Sequence, residues 1–194
     1  MKIFKIIMQI LVYNNLFKIN IFMKKIILKY KYNIDIMWNT IISNDTKIWK
    51  YSYIWYNCWL TKVVIWNYCS IANNVSIWMW EHELNKISTN SIFYNNSYED
   101  LTKNDCIIWN DVWIWVDSII RRWVNIWNWA VIWANSFVNS DVPAYAVFAW
   151  SPAKIIKYRF NENIIKKIEK SNWWLYDKIK ANNIINKIMN EINK

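Results

Sequence analysis

Aliphatic residues recur every six positions at Ile108, Ile114, Ile120, Ile126, Ile132 and Val138. Four places after each stands a smaller or shorter residue: Val112, Ser118, Val124, Ala130, Ser136 and Val142. Six residues advance about 600° around a helix of 3.6 residues per turn, so no helical face collects them. In an extended chain the small residue and the next aliphatic one, two places on, point to the same side. The pattern predicts a mainly β fold, a left-handed parallel β-helix (a hexapeptide solenoid) in which three hexads make one triangular turn.

The same beat sets the limits of the solenoid. It first shows at Ile48, Ile54 and Leu60, slips by one residue, and continues at Ile65, Ile71 and Ile77, with Cys58 and Cys69 on the small-residue positions. Residues 79–106 are Asn-rich and aperiodic, and predict a loop thrown out from one corner of the prism; long loops in a regular scaffold are usually functional or disordered. Asp141-Val142-Pro143 reads as the end of the repeats, because Pro cannot donate to a ladder in mid-sheet. Ala149 to Lys154 reads as an irregular turn. Ile164, Ile165 and Ile168, then Ile179, Ile184, Ile185, Ile188 and Ile192, have helical spacing and predict C-terminal α-helices that cap the open end of the coil. Three segments follow: an N-terminal amphipathic segment 1–45, the β-helix 46–145 with loop 79–106, and a C-terminal turn and helical cap 146–194.

Lysines break the apolar runs of residues 1–37, which read as a basic amphipathic helix packed beside the solenoid. The longest uncharged run, Ile6 to Phe17, is too short and too polar to span a bilayer, and no small-residue cleavage site follows it. Attachment to a membrane surface is the lesser alternative.

Composition adds two points. The net charge of +10 suits a polyanionic ligand such as a nucleotide-bearing cofactor, or else reflects solvated faces of a Lys-rich chain. No motif points to nucleic acid. Three cysteines without C-x-x-C spacing indicate neither a disulfide framework nor a metal site; Cys58 and Cys69, on the small-residue beat, read as buried small hydrophobes in a reducing, cytoplasmic setting.

The second point is the absence of Gly beside 17 Trp. Average usage of about 7% would give roughly 14 Gly in a chain this long. Trp stands directly after the aliphatic beat at Trp49, Trp55, Trp66, Trp78, Trp109, Trp115, Trp127 and Trp133, and in turn positions at Trp123 and Trp129. Turns that need positive φ take Gly readily and a bulky ring poorly. The expectation is that most of these positions carry Gly in the native protein, through a UGA codon that some bacteria read as Gly. Literal Trp there would instead stack in exposed ladders on the prism.

The chain has one His, and His82 lies in the loop that interrupts the coils. An imidazole on a loop beside a rigid wall is suited to removing a proton near neutral pH. Glu81 stands next to it as a candidate for orienting the ring, although sequence neighbours often point apart.

With Gly in place of Trp at the beat positions, the stretch from Ile108 to Phe160 resembles the hexapeptide-repeat acyltransferases, in the branch holding the hexapeptide-type chloramphenicol and streptogramin acetyltransferases. The resemblance rests on the Asn110-Asp111-Val112-Trp113 block, the Pro152-Ala153-Lys154 turn, the His-bearing loop through Ser88 and Thr89, and Trp173-Trp174 after a C-terminal helix, and it covers about residues 48–176. It also sorts the Trp residues. Trp113, Trp173 and Trp174 match genuine family Trp, which leaves 14 of the 17.

The resemblance implies a homotrimer with active sites between subunits and acetyl-CoA as acetyl donor, without a metal. His82 would be the general base, and Ser88 and Thr89 would line the acceptor pocket or shape the loop. Lys154, Lys157 and Arg159 would meet the phosphates of coenzyme A. The acceptor would be a hydroxyl of an antibiotic or of a sugar or glycan. The alternative is a non-enzymatic β-helical module whose Trp ladders bind carbohydrate or a partner surface.

Overall fold

The structure is a computed structural model that describes residues 23–77, 79–103 and 105–192. Residues 1–22, with most of the expected N-terminal amphipathic helix, lie outside the described residues.

The six-residue beat folds as expected, into a three-faced parallel β-solenoid. β1 (Asp35–Ile36), β2 (Ile41–Ile42) and β3 (Lys47–Ile48) form the first coil; β4 (Tyr53–Ile54), β5 (Trp59–Leu60) and β6 (Val63–Ile65) form the second. β7 (Ser70–Ile71) and β8 (Ser76–Ile77) begin the third, which β9 (Cys106–Ile108) completes after the long loop. β10 (Trp113–Ile114), β11 (Ile119–Ile120) and β12 (Asn125–Ile126) make the fourth, and β13 (Val131–Ile132) and β14 (Phe137–Val138) continue the winding. Each strand pairs in parallel with the one three places on, which gives one sheet per prism face.

The repeat is filled from inside by the residues that define it. Ile54, Leu60, Ile65, Ile71, Ile77, Ile108, Ile114, Ile120, Ile126, Ile132 and Val138 are fully buried in one continuous core, and the small-beat residues Val112, Ser118, Val124, Ala130 and Val142 are buried beside them. Burying each such aliphatic side chain contributes about 1.5–3 kcal/mol. The one-residue slip after Leu60 is absorbed at a corner where Lys62 adopts φ 49°, so Tyr53 pairs with Ser70 at a spacing of 17 residues instead of 18.

Three boundaries differ from the sequence expectation. The coils start at Asp35, where Ile36 and Ile42 already keep the beat and pair with Ile54 and Leu60. A helix over residues 23–32 (α1) closes that end. Its Leu28 enters the core, and Lys24 Nζ donates to the carbonyls of Ser43, Asn44 and Thr46. Pro143 does not end the repeats: it sits at a corner outside the ladder, Val142 still bridges to Ile126, and β15 (Ala146–Ala149) pairs in parallel with β13. β15 then turns back through an antiparallel hairpin into β16 (Lys154–Tyr158).

The third difference concerns α3 (Glu162–Ser171) and α4 (Lys178–Ile192), which run along a corner instead of capping the end. At that corner Tyr51, Tyr68, Asp111, Trp129 and Tyr145 stand one above another, each with positive φ. The column offers an apolar stripe, onto which Ile168, Trp173, Trp174 and Ala181 pack. Tyr68 Oη donates to the Tyr176 carbonyl and Lys50 Nζ to that of Leu175, so the helices reach well down the prism.

In a chain without Gly, other residues take the left-handed corners. Among the described residues fifteen have positive φ, six of them Asn and two Asp, whose short polar side chains tolerate that region best after Gly. Trp123, Trp129 and Trp150 are also there, at φ 57°, 58° and 86°. The Trp residues directly after the beat have no positive φ among those described; four of them stack, and Trp55, Trp115 and Trp133 make edge or tilted contacts. Trp49, Trp66, Trp109 and Trp127 form a ladder with successive centroids 5.5, 5.4 and 5.2 Å apart. The conformational demand for Gly therefore falls on the turn positions alone.

Candidate active site

The loop begins after β8, at the corner between the sheet that contains β8 and the sheet that contains β9. Ser70 and Trp113 are paired neighbours although they are 43 residues apart, against 18 for the next coil. The excess is the loop, and its chain folds back on the corner: a 3-10 turn at Ser91–Phe93 is followed by α2 (Ser97–Leu101).

Side chains from several coils hold this loop. From below, Lys62 Nζ donates to Glu99 Oε2 at 3.3 Å and to the Thr102 carbonyl at 3.0 Å, and Asp45 accepts from Tyr98 Oη at 2.6 Å. From above, Arg121 donates to both carboxylate oxygens of Glu81 at 2.7 and 2.6 Å. Arg122 donates to the Leu101 carbonyl at 3.0 Å. Lone exposed ion pairs contribute little, about 0–1 kcal/mol, but a bidentate Arg–carboxylate pair inside a network fixes geometry.

His82 is exposed on this loop. Its ring meets the edge of Tyr94 at 6.1 Å, and the imidazole makes no hydrogen bond among the described residues. Tyr94 is the buried pivot of the loop: its hydroxyl accepts the Glu83 N–H at 2.8 Å and Lys86 Nζ stands 3.7 Å above its ring. The Glu81 carboxylate makes no contact with the imidazole. It turns to the coil and pairs with Arg121 and Arg122, as adjacent residues in extended chain point to opposite sides.

Ser88 and Thr89 lie farther along the same loop. Ser88 Oγ accepts the Asn90 N–H at 3.2 Å, which shapes the turn, and Thr89 is exposed. On either side of them Leu84, Ile87, Ile92 and Phe93 are strongly exposed.

The basic residues divide. Lys154 and Lys157 lie exposed on β16, at the edge of the sheet opposite the loop corner. Arg159, also exposed, turns to the corner column: its Nη1 donates to the Trp129 carbonyl at 2.9 Å and stands 3.8 Å from Asp111 Oδ2. One chain thus carries His82 at one corner of the prism and Lys154 and Lys157 at the end of the opposite face. Sequence reasoning missed the partners of Arg159, because Asp111 meets it only where successive coils stack.

Asp111 and Arg159 border a cavity of about 200 Å³ under α3 and α4, lined also by Trp129, Ile168 and Ile185. Apolar side chains pack closely there although the Asp111 side chain keeps 32% of its surface. Burial pushes its carboxyl up to about 6, against the pull of Arg159. A second depression of about 420 Å³ on another face is lined by Tyr53, Trp55, Asn73, Trp113 and Trp115. Among the described residues no cluster of His, Cys, Asp and Glu could hold a metal ion, and no helix is long and apolar enough to cross a membrane.

No protein-family model matches the sequence. Over 124 residues the chain is 34% identical to a probable macrolide acetyltransferase of Lysinibacillus sphaericus, an alignment covering 58% of this chain and 69% of that one. Over 133 residues it is 33% identical to a chloramphenicol acetyltransferase of Morganella morganii, covering 62% of this chain and 63% of the relative. The fold matches a hexapeptide-repeat-containing acetyltransferase of Vibrio cholerae solved with acetyl coenzyme A (TM-score 0.59, 20% identity, 67% of this chain and 70% of the other). It also matches a maltose O-acetyltransferase from Clostridium difficile (TM-score 0.55, 22% identity, 66% and 67%). The period-six core, the His-bearing loop at a corner and the shared sequence place this chain in the hexapeptide-repeat acyltransferase family, among its acetyltransferases.

Proposed function

We propose that the protein is an acetyl-CoA-dependent O-acetyltransferase that transfers the acetyl group directly to a hydroxyl of an antibiotic or of a sugar. The observation that carries this reading is His82: the chain's sole imidazole, exposed on a loop that side chains from both sides fasten to a rigid corner. Relatives named for macrolide and chloramphenicol acetyl transfer support the antibiotic class.

The donor supplies an activated acetyl thioester. One ring nitrogen of His82 takes the proton from the acceptor hydroxyl as its oxygen attacks the thioester carbonyl. The carbonyl oxygen gains the negative charge, which backbone N–H groups of the cleft would stabilise. As the C–S bond breaks, the thiolate leaves and takes the proton back from the imidazolium. No acyl-enzyme forms, and the base ends neutral. Ser88 and Thr89 flank the acceptor side by their place on the loop.

Lys154 and Lys157 present exposed ammonium groups suited to phosphate oxygens, whereas Arg159 contributes by anchoring Trp129 and Asp111. Because His82 stands at one corner and these lysines at the end of the opposite face of one prism, the reading requires a second copy to bring them together. A cytoplasmic homotrimer with sites between subunits meets that requirement.

The test is turnover of labelled acetyl-CoA against chloramphenicol, a macrolide and a panel of sugars, beside the His82→Ala variant. The variant is expected to lose about 10²–10⁴-fold in turnover while it still binds coenzyme A. Undiminished turnover refutes the base assignment. Failure of the wild type to bind coenzyme A refutes the enzyme reading and favours a binding role for the stacked Trp49–Trp127 ladder.

A further inference from the structure

His82 is bracketed by two anchors of different kinds. On one side Glu81 is fixed to the coil: Arg121 grips its carboxylate bidentately, and Arg122 Nε stands 3.5 Å from Oε2 as an ion pair without a hydrogen bond. The Glu81 N–H donates to the Leu101 carbonyl at 3.2 Å, the same oxygen that accepts from Arg122 Nη1. Residue 81 near the start of the loop and residue 101 near its end are therefore tied to one arginine pair, directly after β11. On the other side Glu83 is held through its N–H by Tyr94. The imidazole between them has only an edge contact with the Tyr94 ring, so its position follows from the backbone that the anchors hold.

The site is sheltered on the Glu81 and Arg122 side, and Arg121, 36% exposed, is held by its bidentate geometry. The Glu81 side chain is 22% exposed and that of Arg122 12%. Arg121 and Arg122 belong to the most regular part of the coil, flanked by buried Ile120 and Val124. The rigidity of the solenoid passes to the loop at the residue beside the base.

We propose that Glu81 is a positioning residue for His82, acting through Arg121 and Arg122 and not through contact with the imidazole or the substrates. The proposal rests on the reading of His82 as the base. It differs from a purely structural role in what it predicts: transfer slows because the base is misplaced, while donor binding and folding are retained. A misplacement of about 1 Å can cost about 10²-fold in rate.

Glu81→Ala is expected to lower kcat by about 30–100-fold with KM for acetyl-CoA changed less than about threefold. Arg121→Ala is expected to lower kcat similarly, and the double variant to be no slower than the worse single one, since both remove one linkage. The swap E81R with R121E, which rebuilds an Arg–Glu–Arg cluster, should recover at least about tenfold over Glu81→Ala.

A readout independent of turnover is available because His82 is the only His. In protein without a histidine tag, acylation of the imidazole by diethyl pyrocarbonate should speed up by about threefold or more in Glu81→Ala, with thermal melting as the folding control. If Glu81→Ala does not fold, Arg121→Gln carries both measurements. Unchanged kcat in an active protein overturns the proposal, as do additive effects in the double variant. If the wild type turns over no acceptor, the function reading fails, and the acylation rate alone decides the clamp: an unchanged rate overturns it.

Discussion

Trp150 opens the turn Ser151-Pro152-Ala153 that delivers Lys154 to β16, and its φ of 86° lies in the left-handed region that favours Gly. For a residue with a Cβ this region costs about 1–2 kcal/mol. The ring itself is 67% exposed. The buried third removes roughly 80 Å² from water, at about 25 cal/mol per Å² worth about 2 kcal/mol as an upper bound. Replacing Trp150 by Gly alone would thus mix two opposing terms of similar size. Comparing Trp150→Gly with Trp150→Ala removes the ring from both and leaves the backbone difference.

At position 150 Gly should exceed Ala in stability by about 1 kcal/mol, or about 2–4 °C in Tm for a chain of this size. Trp113, in strand β10 and without positive φ, is the control. There Ala should exceed Gly by about 0.5–1 kcal/mol, because Gly in a strand only adds entropy to the unfolded chain. Differential scanning calorimetry of the four variants gives both differences. An Ala variant at 150 as stable as its Gly counterpart, or the same sign at both positions, would refute the claim that this corner asks for Gly.

Mass spectrometry of peptides from the protein made in its own cells should read Gly at positions 123, 129 and 150, and Trp at 113, 173 and 174; Trp at all six overturns the decoding expectation. Asp111→Asn should raise stability at neutral pH. The carboxyl of Asp111 is raised in the folded state to about 6, so the native state binds the proton more tightly, and stability falls as pH rises from the unfolded carboxylate range through about 6. The Asn variant should lose that slope, and coincident stability curves for the two proteins across this range would count against the assignment. Lys154→Ala with Lys157→Ala should raise KM for acetyl-CoA about tenfold and lessen its dependence on salt; an unchanged KM removes these lysines from the phosphate site.

How much of this could be read from the chain depends on the range of the interactions involved. The beat at Ile108, Ile114 and Ile120 determined the coil, since side-chain direction in extended chain is a local property and a period of six admits few ways to bury its apolar members. The same beat, by failing at residues 79–106, located the loop and with it His82. The beat in fact reaches back to Ile36 and Ile42, with Thr40 and Thr46 buried on the small-residue positions; the start at Asp35 was missed because only two hexads precede Ile48 and they adjoin the Lys-rich helical segment.

Tertiary structure decided what depends on stacking between coils. Tyr68, Asp111, Trp129 and Tyr145 are far apart in sequence and form one column only when coils of 16–18 residues and a long excursion are in register. That column drew the C-terminal helices to a corner and took Arg159 as a partner. Likewise nothing near Glu81 in the chain reveals Arg121, some forty residues on and one coil higher. The local pattern settled which groups of the chain could do chemistry, and the winding settled which of them are held and by what.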